Sequence, residues 1–251
     1  MKRIIIAFTI SLIAGLSTLL GCLFTWLKPK NTNNFIGGAL AFSGSMMILI
    51  SITELIPEGF FYLNSIYNTF WAILTLILML FIGILLNTYL NRKIVKRVGN
   101  NDNLYRVGIL SMLALMIHNL PEGILTFLST TVDIELGIKL AITISLHNIP
   151  EGIAIAVPIY YSTYSHKKGI VSTLISGLSE PLGAILAYLF LYKYLSNTMI
   201  SLILLFVAGI MISISINEIF EESKKYSKKS IMIGVGLAFV LLVISHILNI
   251  I

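Results

Sequence analysis

Charge is what this chain has least of. Only 11% of its 251 residues are Asp, Glu, Lys or Arg, while 57% are hydrophobic and the mean hydropathy is +0.95. That balance excludes an ordinary soluble domain and indicates a polytopic membrane protein. There is one cysteine, Cys22, which excludes an intramolecular disulfide or a thiolate cluster within the chain. No nucleotide-binding motif and no HExxH sequence occur. Low-complexity tracts and long linkers are missing too. The longest polar connection runs from Asn91 to Arg106, so residues 1–251 read as a single domain. The net charge of +6 and pI near 9.3 do not indicate nucleic acid, because the basic residues sit in short connections between apolar runs.

Eight apolar segments are present, each near the roughly 20 residues needed to cross a bilayer. They cover about 4–27, 35–57, 70–90, 107–130, 136–161, 170–191, 199–220 and 231–251. Connections after the first, third, fifth and seventh carry thirteen of the 17 Lys and Arg residues, among them Arg92, Arg97, Lys167 and Lys229. Cytoplasmic loops are enriched in these residues, so both termini are expected outside. Lys2, Arg3 and then Leu19 to Cys22 imitate a lipoprotein signal. The apolar run continues through Trp26 and Leu27, however, and reads as a retained first span.

One phrase occurs twice. HNLPEG (His118 to Gly123) returns as HNIPEG (His147 to Gly152), 29 residues on. His and Glu four apart share a helix face, and Asn119 and Asn148 stand three before the same glutamates. Each carboxylate therefore lies between a His direction and an Asn direction. Pro121 and Pro150 free the carbonyls of Ile117 and Leu146. Backbone freed at membrane depth is tolerated where it is buried in protein or lines a wet cavity. Imidazole, carboxylate and amide oxygen suit a divalent transition metal. Counting Glu180, beside Pro181 in the sixth segment, three intramembrane carboxylates would each cost about 3 kcal/mol if ionised and unpaired. No Lys or Arg stands near them in sequence, so a bound cation is the simplest compensation.

Other polar residues carry weaker signals. TELIPEG places Glu54 and Glu58 around Pro57; Glu54 is a candidate for admitting an ion and Met47 a candidate weak thioether ligand, although a methionine there is more often core. Asn217, Glu218, Glu221 and Glu222, set against four lysines, read as a solvated cytoplasmic helix end, with a role at an ion exit as the sharper alternative. His166 and His246 have no ligand partner nearby in sequence and read as non-ligands.

On these residues the chain resembles the ZIP (Zrt/Irt-like) family of divalent metal transporters, in its bacterial ZupT-type branch. HNLPEG, HNIPEG, GLSEPLGA and VAGIMISISINE carry the resemblance, which covers all eight segments. It implies an all-α, pseudo-symmetric 3+2+3 bundle of eight transmembrane helices in a bacterial inner membrane. It also implies two adjacent metal sites. His118, Glu122, His147 and Glu151 match one; Asn119, Glu122, Asn148, Glu151 and Glu180 match the other, with both motif glutamates bridging. Many relatives carry a histidine-rich loop between the third and fourth spans; Asn91 to Arg106 has no histidine, which speaks against sensing of metal there.

The function expected is uptake of zinc, with iron(II), manganese and cobalt, into the cytoplasm. Zn²⁺ and Fe²⁺ are expected as bound cargo rather than prosthetic groups. Expected partners are these ions and the bilayer, not nucleic acid, with a homodimer as a compatible assembly. No catalytic residue is assigned. The rival readings are an intramembrane zinc hydrolase, which normally needs HExxH, and a metal sensor, which would need an output domain.

Overall fold

The structure, a computed structural model, describes residues 2–98, 103–191 and 196–247. Eight helices in it are long and apolar enough to span a membrane: α1 (Lys2–Trp26), α2 (Thr32–Ile66), α3 (Thr69–Lys93), α4 (Leu104–Thr131), α5 (Gly137–Thr163), α6 (His166–Phe190), α7 (Thr198–Ser223) and α8 (Lys228–Ser245). Residues 248–251, expected in the eighth span, lie outside the described residues.

Helix α2 runs on well past residue 57. A π turn over Ser51–Leu55 precedes Pro57, which then occupies the first turn of the continuing helix, where a missing N–H costs little. The second half of α1 is wound more tightly, as a 3₁₀ helix over Thr18–Trp26. Hydroxyls of Ser17, Thr18 and Thr25 donate to carbonyls three residues back at 2.6–2.8 Å. The narrower helix gives its neighbour close access to the α1 backbone.

Helices α4 and α5 form the centre, and the others surround them in matched pairs. Helix α1 packs on α5 as α6 packs on α4; α2 touches α5 as α7 touches α4; α3 lies on α7 as α8 lies on α2. This is a 3+2+3 arrangement with two pseudo-equivalent halves. Glycines make the pairing intimate. A Cβ on Gly15 would fall 2.3 Å from the Gly177 carbonyl, and one on Gly177 would fall 2.3 Å from the Gly15 carbonyl. Small residues of this kind let membrane helices gain dispersion contact where no hydrophobic drive exists between them.

The halves also share sequence. LIAGLS (Leu12 to Ser17) in α1 answers LISGLS (Leu174 to Ser179) in α6, and MILISITE (Met47 to Glu54) in α2 answers MISISINE (Met211 to Glu218) in α7. The second pair shares local structure. Each segment ends in a π turn, over Ser51–Leu55 and Ser215–Phe220. In each, the serine hydroxyl donates to a methionine carbonyl four residues back, at 2.7 Å. Such back-bonding competes with the regular ladder and favours the extra residue.

Candidate metal centre

The first HNxPEG phrase lies in α4 and the second in α5, both mid-helix, with the chain helical through Pro121 and Pro150. Both glycines of the phrases are contact points. A Cβ on Gly123 would stand 1.9 Å from the Glu180 carbonyl of α6, and one on Gly152 would stand 1.9 Å from the Thr18 carbonyl of α1. Thr18 and Glu180 follow the repeated LIAGLS and LISGLS segments, so the two contacts are the same contact made in each half. The repeat thereby sets Glu180 against the first motif.

The polar side chains meet across helices. His118 Nε2 lies 3.2 Å from Glu122 Oε1, one turn along α4, and also 3.2 Å from Glu151 Oε1 on α5. In the amide orientation its neighbours accept, Asn119 Nδ2 donates to the Leu115 carbonyl at 2.8 Å and to Glu151 Oε2 at 3.2 Å. Asn148 Nδ2 donates to the Ala14 carbonyl of α1 at 2.9 Å and to Glu180 Oε1. Glu180 lies within electrostatic reach of Glu122, Glu151 and His118. His118 and Glu151 are 1% exposed, and Asn119, Asn148 and Glu180 are fully buried. The His147 side chain lies outside the described residues; among those described, no three His, Cys, Asp or Glu side chains form a finished coordination shell.

Several of these groups are unsatisfied. His118 Nδ1, Glu122 Oε2, Asn148 Oδ1 and Glu180 Oε2 are buried without a hydrogen-bond partner among the described residues. Native structures leave few such atoms, and four in one cluster ask for an explanation. Two carboxylates, Glu122 and Glu151, meet a single imidazole, with Glu180 in electrostatic reach, in a position where an unpaired charge is costly.

The family model described as ZIP Zinc transporter matches residues 92–244. The chain is 35% identical to the zinc transporter ZupT of Oceanobacillus iheyensis, with 99% of each covered. It is 34% identical to that of Streptococcus mutans, with 98% of each covered, and 32% identical to that of Campylobacter jejuni, with 90% of each covered. The chain belongs to the ZIP family. With eight apolar helices and ZupT-type bacterial relatives, this ZIP-family chain is a multi-pass inner-membrane protein.

Outside the cluster the structure divides the remaining candidates of this ZIP-family chain. Met47 is buried in the apolar core, among residues such as Ile50 and Ile214. Glu54 stands on the α2 π turn, near enough to Glu122 for their charges to interact. Glu58 is exposed and accepts from Tyr62 at 3.3 Å.

The solvated helix end expected at Glu218 to Glu222 is corrected. Glu218 is 2% exposed and Glu222 6%. The π turn carries Glu218 inward, where Asn91 of α3 donates to it and the Arg106 charge of α4 is felt. Glu222 pairs with Lys225 at 2.5 Å, while the exposed Glu221 pairs with Lys224. Asn87, four residues before Asn91 on the same face of α3, donates to Ser213 of α7 at 3.0 Å. Neither asparagine was singled out from sequence. Their four-residue spacing in an apolar run, and the repeat that pairs Glu218 with Glu54, are the signals that could have found them.

His166 has aromatic partners. Its ring stacks between Trp26, at 4.6 Å between centroids, and Tyr160, at 4.3 Å, and Thr25 Oγ1 lies 3.0 Å from its Nδ1. The His246 side chain lies outside the described residues.

Proposed function

We propose that this protein carries divalent metal ions across the inner membrane into the cytoplasm, zinc foremost and iron(II), manganese and cobalt with it. The relatives it resembles are named zinc transporters. The observation that carries the reading is the buried cluster itself: Glu122, Glu151 and Glu180 together, with unpartnered donor atoms on His118, Glu122, Asn148 and Glu180. A dication inserted among them offsets the carboxylate charge and takes the unshared lone pairs in one step.

In this reading Glu122 and Glu151 bridge two adjacent ions. His118 and His147 complete one site; Asn119, Asn148 and Glu180 complete the other. An ion displaces the His118 contacts to the two glutamates, which lie where it would bind. Glu54, within reach of Glu122, receives ions from the outer side. Met47 stays in the core and supplies no ligand. The ion gives up part of its hydration shell to oxygen and nitrogen ligands, firmly enough to be admitted and weakly enough to leave. Oxygen-rich ligation without thiolate favours broad selectivity among first-row dications over Cu(I).

A transporter, a hydrolase and a sensor differ in one measurement. Purified protein in zinc-free liposomes should accumulate external Zn²⁺ in the lumen, and the Glu180→Gln variant, correctly inserted, should not. Zinc bound by the protein without lumenal accumulation would leave a sensor or an enzyme and remove the transport reading.

A further inference from the structure

A second feature lies away from the metal cluster, on the lipid-facing side of the bundle. A groove of about 770 Å³ opens between α8 and α2, with Phe24 of α1 and Ile153 of α5 at its inner wall. Gly38 and Gly234 bring the two outer helices together there, since a Cβ on Gly234 would fall 2.3 Å from the Gly38 carbonyl. Ala39, beside Gly38, is a further small residue of the groove lining. Along α8 the lining runs from Lys229 to Ile244, about 22 Å at 1.5 Å per residue. One leaflet of hydrocarbon is about 15 Å thick. The groove thus starts at headgroup level and reaches past mid-membrane.

Its two ends differ in chemistry. Above the mouth the wall is apolar, with Phe35, Phe42, Leu237 and Leu241 among its residues. The mouth has Lys229, Asn31 and Asn34, and among the described residues no carboxylate lines the groove. Asn31 uses its side-chain oxygen to cap α2, accepting from the Asn34 N–H at 3.0 Å, which leaves its amide donors for an outside acceptor. Glu221 and Glu222, the nearest acidic residues in sequence, are paired with Lys224 and Lys225. The Lys229 charge is therefore not matched within the groove. This is the lysine-rich end, which faces the cytoplasm by the charge rule.

We propose that the groove binds an anionic phospholipid of the cytoplasmic leaflet, its phosphate held by Lys229, Asn31 and Asn34 and one acyl chain laid along α8. Basic pockets between membrane helices on the cytoplasmic side suit such headgroups. The apolar wall excludes a free phosphate or a soluble anion as the occupant, because neither would fill it. A bound lipid would also touch the helix that carries the second metal motif, since Ile153 lies two residues past Glu151.

Native mass spectrometry of the full chain, in detergent with equal phosphatidylglycerol and phosphatidylcholine, tests this. The wild type should retain one phosphatidylglycerol per chain in clear preference. Lys229→Glu should lower that occupancy about tenfold, as expected when a single headgroup charge is reversed. Ala39→Trp should fill the acyl path and lose both lipids while the lysines remain. Lys228→Glu, an exposed neighbour that does not line the groove, should change nothing. Equal retention of the two lipids, or equal losses in Lys228→Glu and Lys229→Glu, would overturn the proposal. So would full occupancy in Ala39→Trp.

Discussion

Glu151 receives His118 on one carboxylate oxygen and Asn119 on the other, both from the neighbouring helix. Glu151→Gln keeps the volume and one acceptor but removes the charge that offsets a dication. Transport should fall roughly tenfold or more, while the metal-free protein melts at the same temperature or slightly higher, because a neutral amide is cheaper to bury. Added Zn²⁺ should then raise the melting temperature less than in wild type, as binding linkage requires. An undiminished zinc shift with wild-type uptake would make this glutamate structural. His118→Ala tests ligand type rather than charge. Imidazole favours zinc over manganese, so Zn²⁺ uptake should drop more than Mn²⁺ uptake in parallel assays. Proportional losses would mean that the imidazole does not select.

The helices depend on a few backbone contacts that no side chain can enter. Gly123→Ala and Gly152→Ala would each drive a methyl to 1.9 Å from a neighbouring carbonyl oxygen, on α6 and α1 respectively. Such overpacking costs about 3 kcal/mol, read as a large drop in melting temperature in detergent for both variants. Gly236→Ala meets nothing within 4 Å and should hold or raise stability, by up to about 1 kcal/mol from helix propensity. If all three behaved alike, the helix contacts at the motif glycines would be wrong. The paired π turns are a subtler device. Each adds a residue to its helix and carries a glutamate, Glu54 on α2 and Glu218 on α7. The turn in α7 carries its glutamate to Asn91 and Arg106, where a regular helix end would have been read as solvated.

The bundle as a whole has an orientation that labelling can check. In a Cys22→Ser background, a cysteine in the connection between α3 and α4 should resist an impermeant thiol reagent applied outside intact cells. One beside Asp133 should react. The opposite pattern would reverse every span and move the lysine-rich end outside. Composition and spacing were enough for the eight apolar runs, the doubled HNxPEG phrase and Glu180 as a third carboxylate. Those are local properties: length against bilayer thickness, and one helical turn between His and Glu. They could not tell that His118 lies between glutamates of two helices, that Asn148 holds the α1 backbone, or that Glu218 is buried against α3 and α4. In a soluble protein the apolar stripe of a helix points to its neighbours. A membrane helix is apolar on the lipid side and the protein side alike, so periodicity does not show which helix it meets. Here that choice rests on glycine contacts, a tightened α1 and two π turns, and those exist only once the helices have packed.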